Sequence, residues 1–270
     1  MRSSKIKNII ILMLLLVNAF LLVLVGGRSW HSRQTLRETG ERMVVILERN
    51  GVEFLPREVP GELELPPRRV QAVPLDREGA ALLLGQVKQM EDGRVRTRFA
   101  GTMGTAVTTA SGEVEVQFLP GSGLDEAAGL ALLEQLGVTV EETGRSREGD
   151  MTTVLARQLW EGSPMPDAVV VMTLRGEELE SLSFRRMVST GEAPAAGETI
   201  TAATALARFL EELNQEGYVC SQVREVYPGY SLSGSTAVTL SPTWYVETDA
   251  WPWRFAVDGV TGQVSAADNG

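Results

Sequence analysis

TAATALARFLEELNQEG at 201–217 sets Ala205, Leu206, Phe209, Leu210 and Leu213 on one face at helical spacing. Thr201 is suited to cap the start of that helix and Gly217 to end it. Beyond it the period changes. Residues 218–227, 237–240, 243–248 and 253–257 read as short strands, and DGVTGQV at 258–264 closes the run through a glycine turn. A helix leading a series of antiparallel strands predicts an α+β layer, with one helix face laid on one sheet face.

The same order occurs twice upstream. DREGAALLL at 76–84 reads as a short helix, followed by strands at 94–99, 104–109 and 113–119 with a turn at Ala110-Ser111-Gly112. From Asp125, EAAGLALLEQLGV has helical spacing and a terminal glycine. Strands at 152–160, 168–174 and 181–188 follow, with Leu174-Arg175-Gly176-Glu177 turning between the last two. The expected architecture is therefore α+β, built of repeated helix-plus-antiparallel-sheet units. A first α+β region covers 70–190, and a C-terminal unit covers 198–267.

Ahead of these lies a different kind of sequence. Residues 52–70 carry Pro56, Pro60, Pro66 and Pro67, which forbids a long helix and predicts an extended linker or edge strand. Residues 29–49 are charged but helix-compatible, with Leu36, Met43, Val44, Ile46 and Leu47 gathered toward the second half and Asn50-Gly51 as a stop. Together 28–69 read as a juxtamembrane stalk and linker.

Residues 9–25 are apolar except for Asn18 and follow a short basic head, 1–8, that carries Arg2, Lys5 and Lys7. With Gly26 and Gly27 the run is about 19 residues, roughly 28 Å of helix, enough to span a hydrocarbon core of about 30 Å. It is longer than the core of a cleaved signal and ends without a small-x-small site, so it reads as an uncleaved anchor at 9–27. The basic head argues for a cytoplasmic amino terminus and an extracytoplasmic remainder, although Arg28, Arg33, Arg37 and Arg42 on the far side oppose that orientation.

The formal net charge is −10, and the basic head makes the remainder more acidic still, which disfavours nucleic acid and anionic lipid surfaces as partners. Catalytic material is sparse. His31 is the single histidine and lies beside the apolar run, so triads and multi-histidine metal sites have no material. Lys88 is the one lysine beyond the head, Gly229-Tyr230-Ser231-Leu232-Ser233 misses the nucleophile elbow at its fifth position, and Gly101-Thr102-Met103-Gly104 lacks the rest of a phosphate loop. The acidic pairs Glu141-Glu142 and Glu177-Glu178 read as solvated loop residues. Neither enzyme activity nor a cofactor is expected. Cys220 has no intramolecular partner and reads as a small buried strand residue.

One aromatic cluster stands out: Trp244, Tyr245, Trp251, Trp253 and Phe255. Strand alternation points Trp244 and Val246 one way and Tyr245 and Glu247 the other. Trp251, Trp253 and Tyr245 are the candidates for an ectodomain contact.

The two ends of the chain resemble a known family. SSKIKNIIILMLLLVNAFLLVLV at 3–25, Gly217-Tyr218, LSPTWYV at 240–246 and FAVDGVTGQV at 255–264 are similar to YycI-type regulatory proteins, and the last run is similar to the terminal hairpin of PepSY-like repeats. The resemblance implies a single-pass protein of the cell membrane that tunes a sensor histidine kinase of the WalK (YycG) type in cell-wall homeostasis, together with a YycH-type partner. It implies no enzyme activity, and it implies that the membrane helix itself carries contact with the kinase. Asn18, with Ile11, Leu14, Leu21 and Val25 in register at heptad-like spacing, is the candidate contact within the bilayer. The alternative is an anchored extracytoplasmic PepSY-like module that binds a peptide, a protease or a wall polymer.

Overall fold

The computed structural model describes residues 34–92, 95–191, 194–195 and 197–267. It mixes helix and sheet, with sheet dominant. Helix α1 covers 34–49, and strands β1 (Glu53–Phe54) and β2 (Arg68–Ala72) follow. Three helix-led cycles come next. Helix α2 (Arg77–Leu84) leads β3 (Val87–Asp92), β4 (Arg96–Gly101), β5 (Gly104–Thr109) and β6 (Glu113–Phe118). Helix α3 (Glu126–Gln135) leads β7 (Thr139–Glu148), β8 (Met151–Trp160), β9 (Ser163–Arg175) and β10 (Glu178–Arg185). After β11 (Met187–Ser189), helix α4 (Ala202–Glu216) leads β12 (Gln222–Ser233), β13 (Ala237–Thr248), β14 (Arg254–Asp258) and β15 (Val264–Ala267). Each cycle is thus a helix followed by a four-strand antiparallel meander. Each of these helices begins on a capping side chain: Asp76 accepts from Gly79 N at 2.7 Å, Asp125 from Ala128 N at 2.8 Å and Thr201 from Thr204 N at 3.3 Å.

The first two cycles share one eight-stranded sheet in the order β3-β4-β5-β6-β10-β9-β8-β7. Their last strands meet, with Val116 opposite Leu182, so the two meanders run toward each other. Helices α2 and α3 cover one face. Leu83, Leu84 and Leu133 bury there against Val116, Met172 and Leu182.

The third cycle forms a second sheet, β1-β12-β13-β14-β15. Strand β2 pairs with the first half of β13 and β14 with the second half, and Pro242 sits where that neighbour changes. The two pieces expected at 237–240 and 243–248 are therefore one strand. Strand β2 also carries β11, with Ala72 opposite Met187, so the whole eight-stranded sheet is inserted between two neighbouring strands of the other.

Several expectations are revised. The stretch read as stalk and linker packs in large part onto the core of the C-terminal sheet. Met43 and Leu47 of α1 are buried with Leu206, Phe209 and Leu213 of α4, and β1 lies parallel on β12. The apolar residues gathered in the second half of α1 are the reason, because they give it a face to bury. Glu141 and Glu142 lie in β7 rather than in a loop, and Cys220 lies in the loop before β12. Burial raises the Cys220 thiol to about 11, so it stays protonated at neutral pH.

The sheets meet through Val70, Ala72, Met165, Ala168, Met187, Tyr230, Val238 and Leu240, all buried. At this joint β9 and β12 approach so closely that a Cβ on Gly229 would lie 2.6 Å from the carbonyl oxygen of Pro164. The candidate anchor, with Asn18, Ile11, Leu14, Leu21 and Val25, lies outside the described residues; among those described, no helix is long and apolar enough to cross a membrane.

Candidate functional site

Two features of the C-terminal sheet stand out, an aromatic loop at one end and a charged cleft on the face turned away from α4. The loop joins β13 to β14 and holds Trp251 and Trp253, 60% and 46% exposed. Its backbone is tied down. Thr248 N donates to Trp253 O at 2.8 Å, and the Thr248 hydroxyl lies 2.9 Å from the carbonyl oxygens of Ala250 and Pro252. Asp249 accepts from Ser221 N at 3.0 Å, Gln222 N at 2.9 Å and the Ser221 hydroxyl, which together with the backbone donors holds its carboxyl down at about 2.

The loop is also continuous with the core through a chain of edge-on rings. Phe209 meets Phe255 at 5.0 Å between centroids, Phe255 meets Tyr218 at 5.5 Å, and Tyr218 meets Trp251 at 6.2 Å. The third predicted contact, Tyr245, is fully buried between the sheets, and its hydroxyl donates to Tyr230 O at 3.0 Å. It presents no ring surface. Alternation placed Tyr245 correctly on the face opposite Trp244, but that face is covered by the other sheet, which one strand's periodicity does not reveal.

The cleft opens where that covering stops. It encloses about 610 Å³ and is lined by Glu142, Leu155, Arg157, Asp167, Val169, Glu225, Glu247 and Arg254, among others. Glu225 and Glu247 are direct cross-strand partners, and so are Glu247 and Arg254. Arg254 Nε lies 3.6 Å from Glu247 Oε1, and the Tyr227 hydroxyl donates to that same oxygen at 3.0 Å. Arg157 donates to Glu141 at 2.9 Å and lies 4.7 Å over the Tyr227 ring, which stacks on Tyr245. Asp167 stands on an irregularity of β9, where the register against β8 jumps by three residues between Arg157 and Gln158. Partial desolvation within the cleft raises the carboxyls of Asp167 and Glu225, and the negative charge of Glu247 raises Glu225 further.

Sequence reading missed this cleft, because its residues come from six strands of two sheets. The one local signal is Glu247, set beside Tyr245 on the polar side of an otherwise apolar strand. No group of three or more histidine, cysteine or carboxylate side chains placed to hold a metal occurs among the described residues.

No family model matches the chain, and no curated protein does. Among solved structures, the chain is similar to an uncharacterized protein from Eubacterium rectale ATCC 33656, with a TM-score of 0.49 and 12% identity over 76% of this chain and 86% of that one. It is also similar to the C-terminal domain of Bacillus megaterium YpeB, with a TM-score of 0.37 and 11% identity over 72% and 96% of the two chains.

Proposed function

We propose that this chain is a membrane-anchored regulatory protein of PepSY-like build that acts by protein contact on a sensor histidine kinase of the WalK (YycG) type, with a YycH-type partner. The reading rests on the sequence resemblance at both ends and on the apolar run that carries Asn18. In the ectodomain it is carried by one observation, the exposed pair Trp251 and Trp253 on a loop that Thr248 and Asp249 hold in place. Exposed tryptophans held rigid bind partners with little loss of conformational freedom, and tryptophan is enriched among residues that dominate protein interfaces.

The test is co-purification of the kinase with full-length protein. Trp251→Ala with Trp253→Ala is expected to cut recovery about tenfold or more, the loss of a single strong contact of about 2 kcal/mol each being sufficient. A parallel swap of residues 9–25 for an unrelated membrane helix separates the two readings. Loss of regulation with normal insertion supports the kinase regulator, whereas retained function supports an anchored module that binds through its ectodomain alone. Undiminished recovery in both variants overturns the kinase reading.

A further inference from the structure

We infer that the cleft between the two sheets is a binding site for a cationic segment of another protein, one that presents a lysine or arginine side chain beside an apolar one. This goes beyond the kinase reading and does not depend on it. The cleft has two unlike walls. On the C-terminal sheet, Glu225 and Glu247 face each other directly across β12 and β13, and Asp167 enters from the displaced segment of β9. Like charges directly opposite in an antiparallel pair are destabilising. The two guanidiniums of the cleft are already engaged, Arg157 with Glu141 and Arg254 with Glu247. Among the described residues, Glu225 faces a like charge with no ion pair of its own, and Asp167 accepts from the Leu232 amide at 3.4 Å; Arg157 and Arg254, each paired with another carboxylate, offset these two charges only from a longer distance. An ammonium or guanidinium entering between them supplies a direct ion pair for both.

The wall on the eight-stranded sheet carries an apolar strip among Glu142, Arg157 and Asp167. Leu155 and Val169 are exposed there, beside Pro166. A cationic side chain flanked by an aliphatic one matches both walls at once, whereas a polyanion would meet the carboxylates. A volume of about 610 Å³ falls within the ordinary range of ligand cavities and suits a few side chains rather than a folded domain.

The experiment is fluorescence anisotropy of a labelled hexapeptide of alternating lysine and leucine, titrated with the full-length chain in detergent micelles. The peptide is expected to bind, and the same peptide with every lysine acetylated to lose at least tenfold in affinity. Glu225→Gln combined with Asp167→Asn weakens binding about tenfold or more, as loss of charged hydrogen bonds does. Leu155→Asn weakens it several-fold, and Glu211→Gln, on the exposed side of α4, leaves it at the parental value. Glu225→Gln removes a like-charge pair and so keeps or raises the melting temperature, which separates lost binding from lost fold. Equal binding of the acetylated peptide, parental affinity in the Glu225→Gln, Asp167→Asn double variant, or competition by spermine as effective as that by the peptide overturns the inference.

Discussion

Asp249 holds together two loops that lie 28 residues apart, because one carboxylate accepts from two amides and a hydroxyl of the α4–β12 connection. Its folded pKa is depressed to about 2 from an ordinary 3.8, so its contribution to stability is fully present above 3.8 and is lost as pH falls toward 2. An acid titration followed by tryptophan fluorescence is expected to show loosening of the Trp251 loop within that window. Asp249→Ala should show the loosened signal already at neutral pH and no transition there. At the same scale, alternation in the sequence was enough to separate buried Trp244 and Val246 from Tyr245 and Glu247. It could not indicate that a second sheet would cover Tyr245 and leave Glu247 at the edge of an opening.

Among elements, the least legible were β3 and β7, the outer strands of the eight-stranded sheet. Their sequences, VKQMED and TVEETGRSRE, are dominated by charged and polar residues. Charge is the ordinary protection of an exposed sheet edge, so the property that makes them safe edges also makes them resemble loops. Helices α2, α3 and α4 were legible because capping residue, apolar face and following strands all agree. Strands β9 and β12 meet at Gly229, where an added methyl would press on a backbone oxygen rather than on a movable side chain. Gly229→Ala is therefore expected to destabilise the fold by about 1–3 kcal/mol. Urea denaturation measures it, and an unchanged midpoint would refute the close approach.

For the molecule as a whole, the two sheets are coupled through a core that neither owns alone. Met165 and Ala168 come from the eight-stranded sheet, and Tyr230, Val238 and Leu240 from the other. Thermal unfolding is expected to be one cooperative transition in the parent and two in Met165→Asp, since a charge buried at that joint uncouples the sheets at a cost of several kcal/mol. Calorimetry distinguishes the outcomes. The repeated helix-and-meander order could be read from periodicity and turn residues. The way the repeats join, last strand to last strand, could not, because it is set by pairing between residues more than 60 positions apart, such as Val116 and Leu182.

The insertion between β2 and β11 determines how the molecule answers to tension. The first described helix and the last strand both belong to the C-terminal sheet and its core, whereas residues 73–186 leave and re-enter through neighbouring strands. A pull between residues 34 and 267 is therefore borne first by the C-terminal sheet, and the eight-stranded sheet stays slack until that sheet ruptures. Optical-trap extension should give two lengthening events in a fixed order, the C-terminal sheet yielding before the inserted one. Any protein that tugs on the chain from its amino-terminal side would strain the aromatic loop and one wall of the cleft while leaving two of the three meanders unloaded.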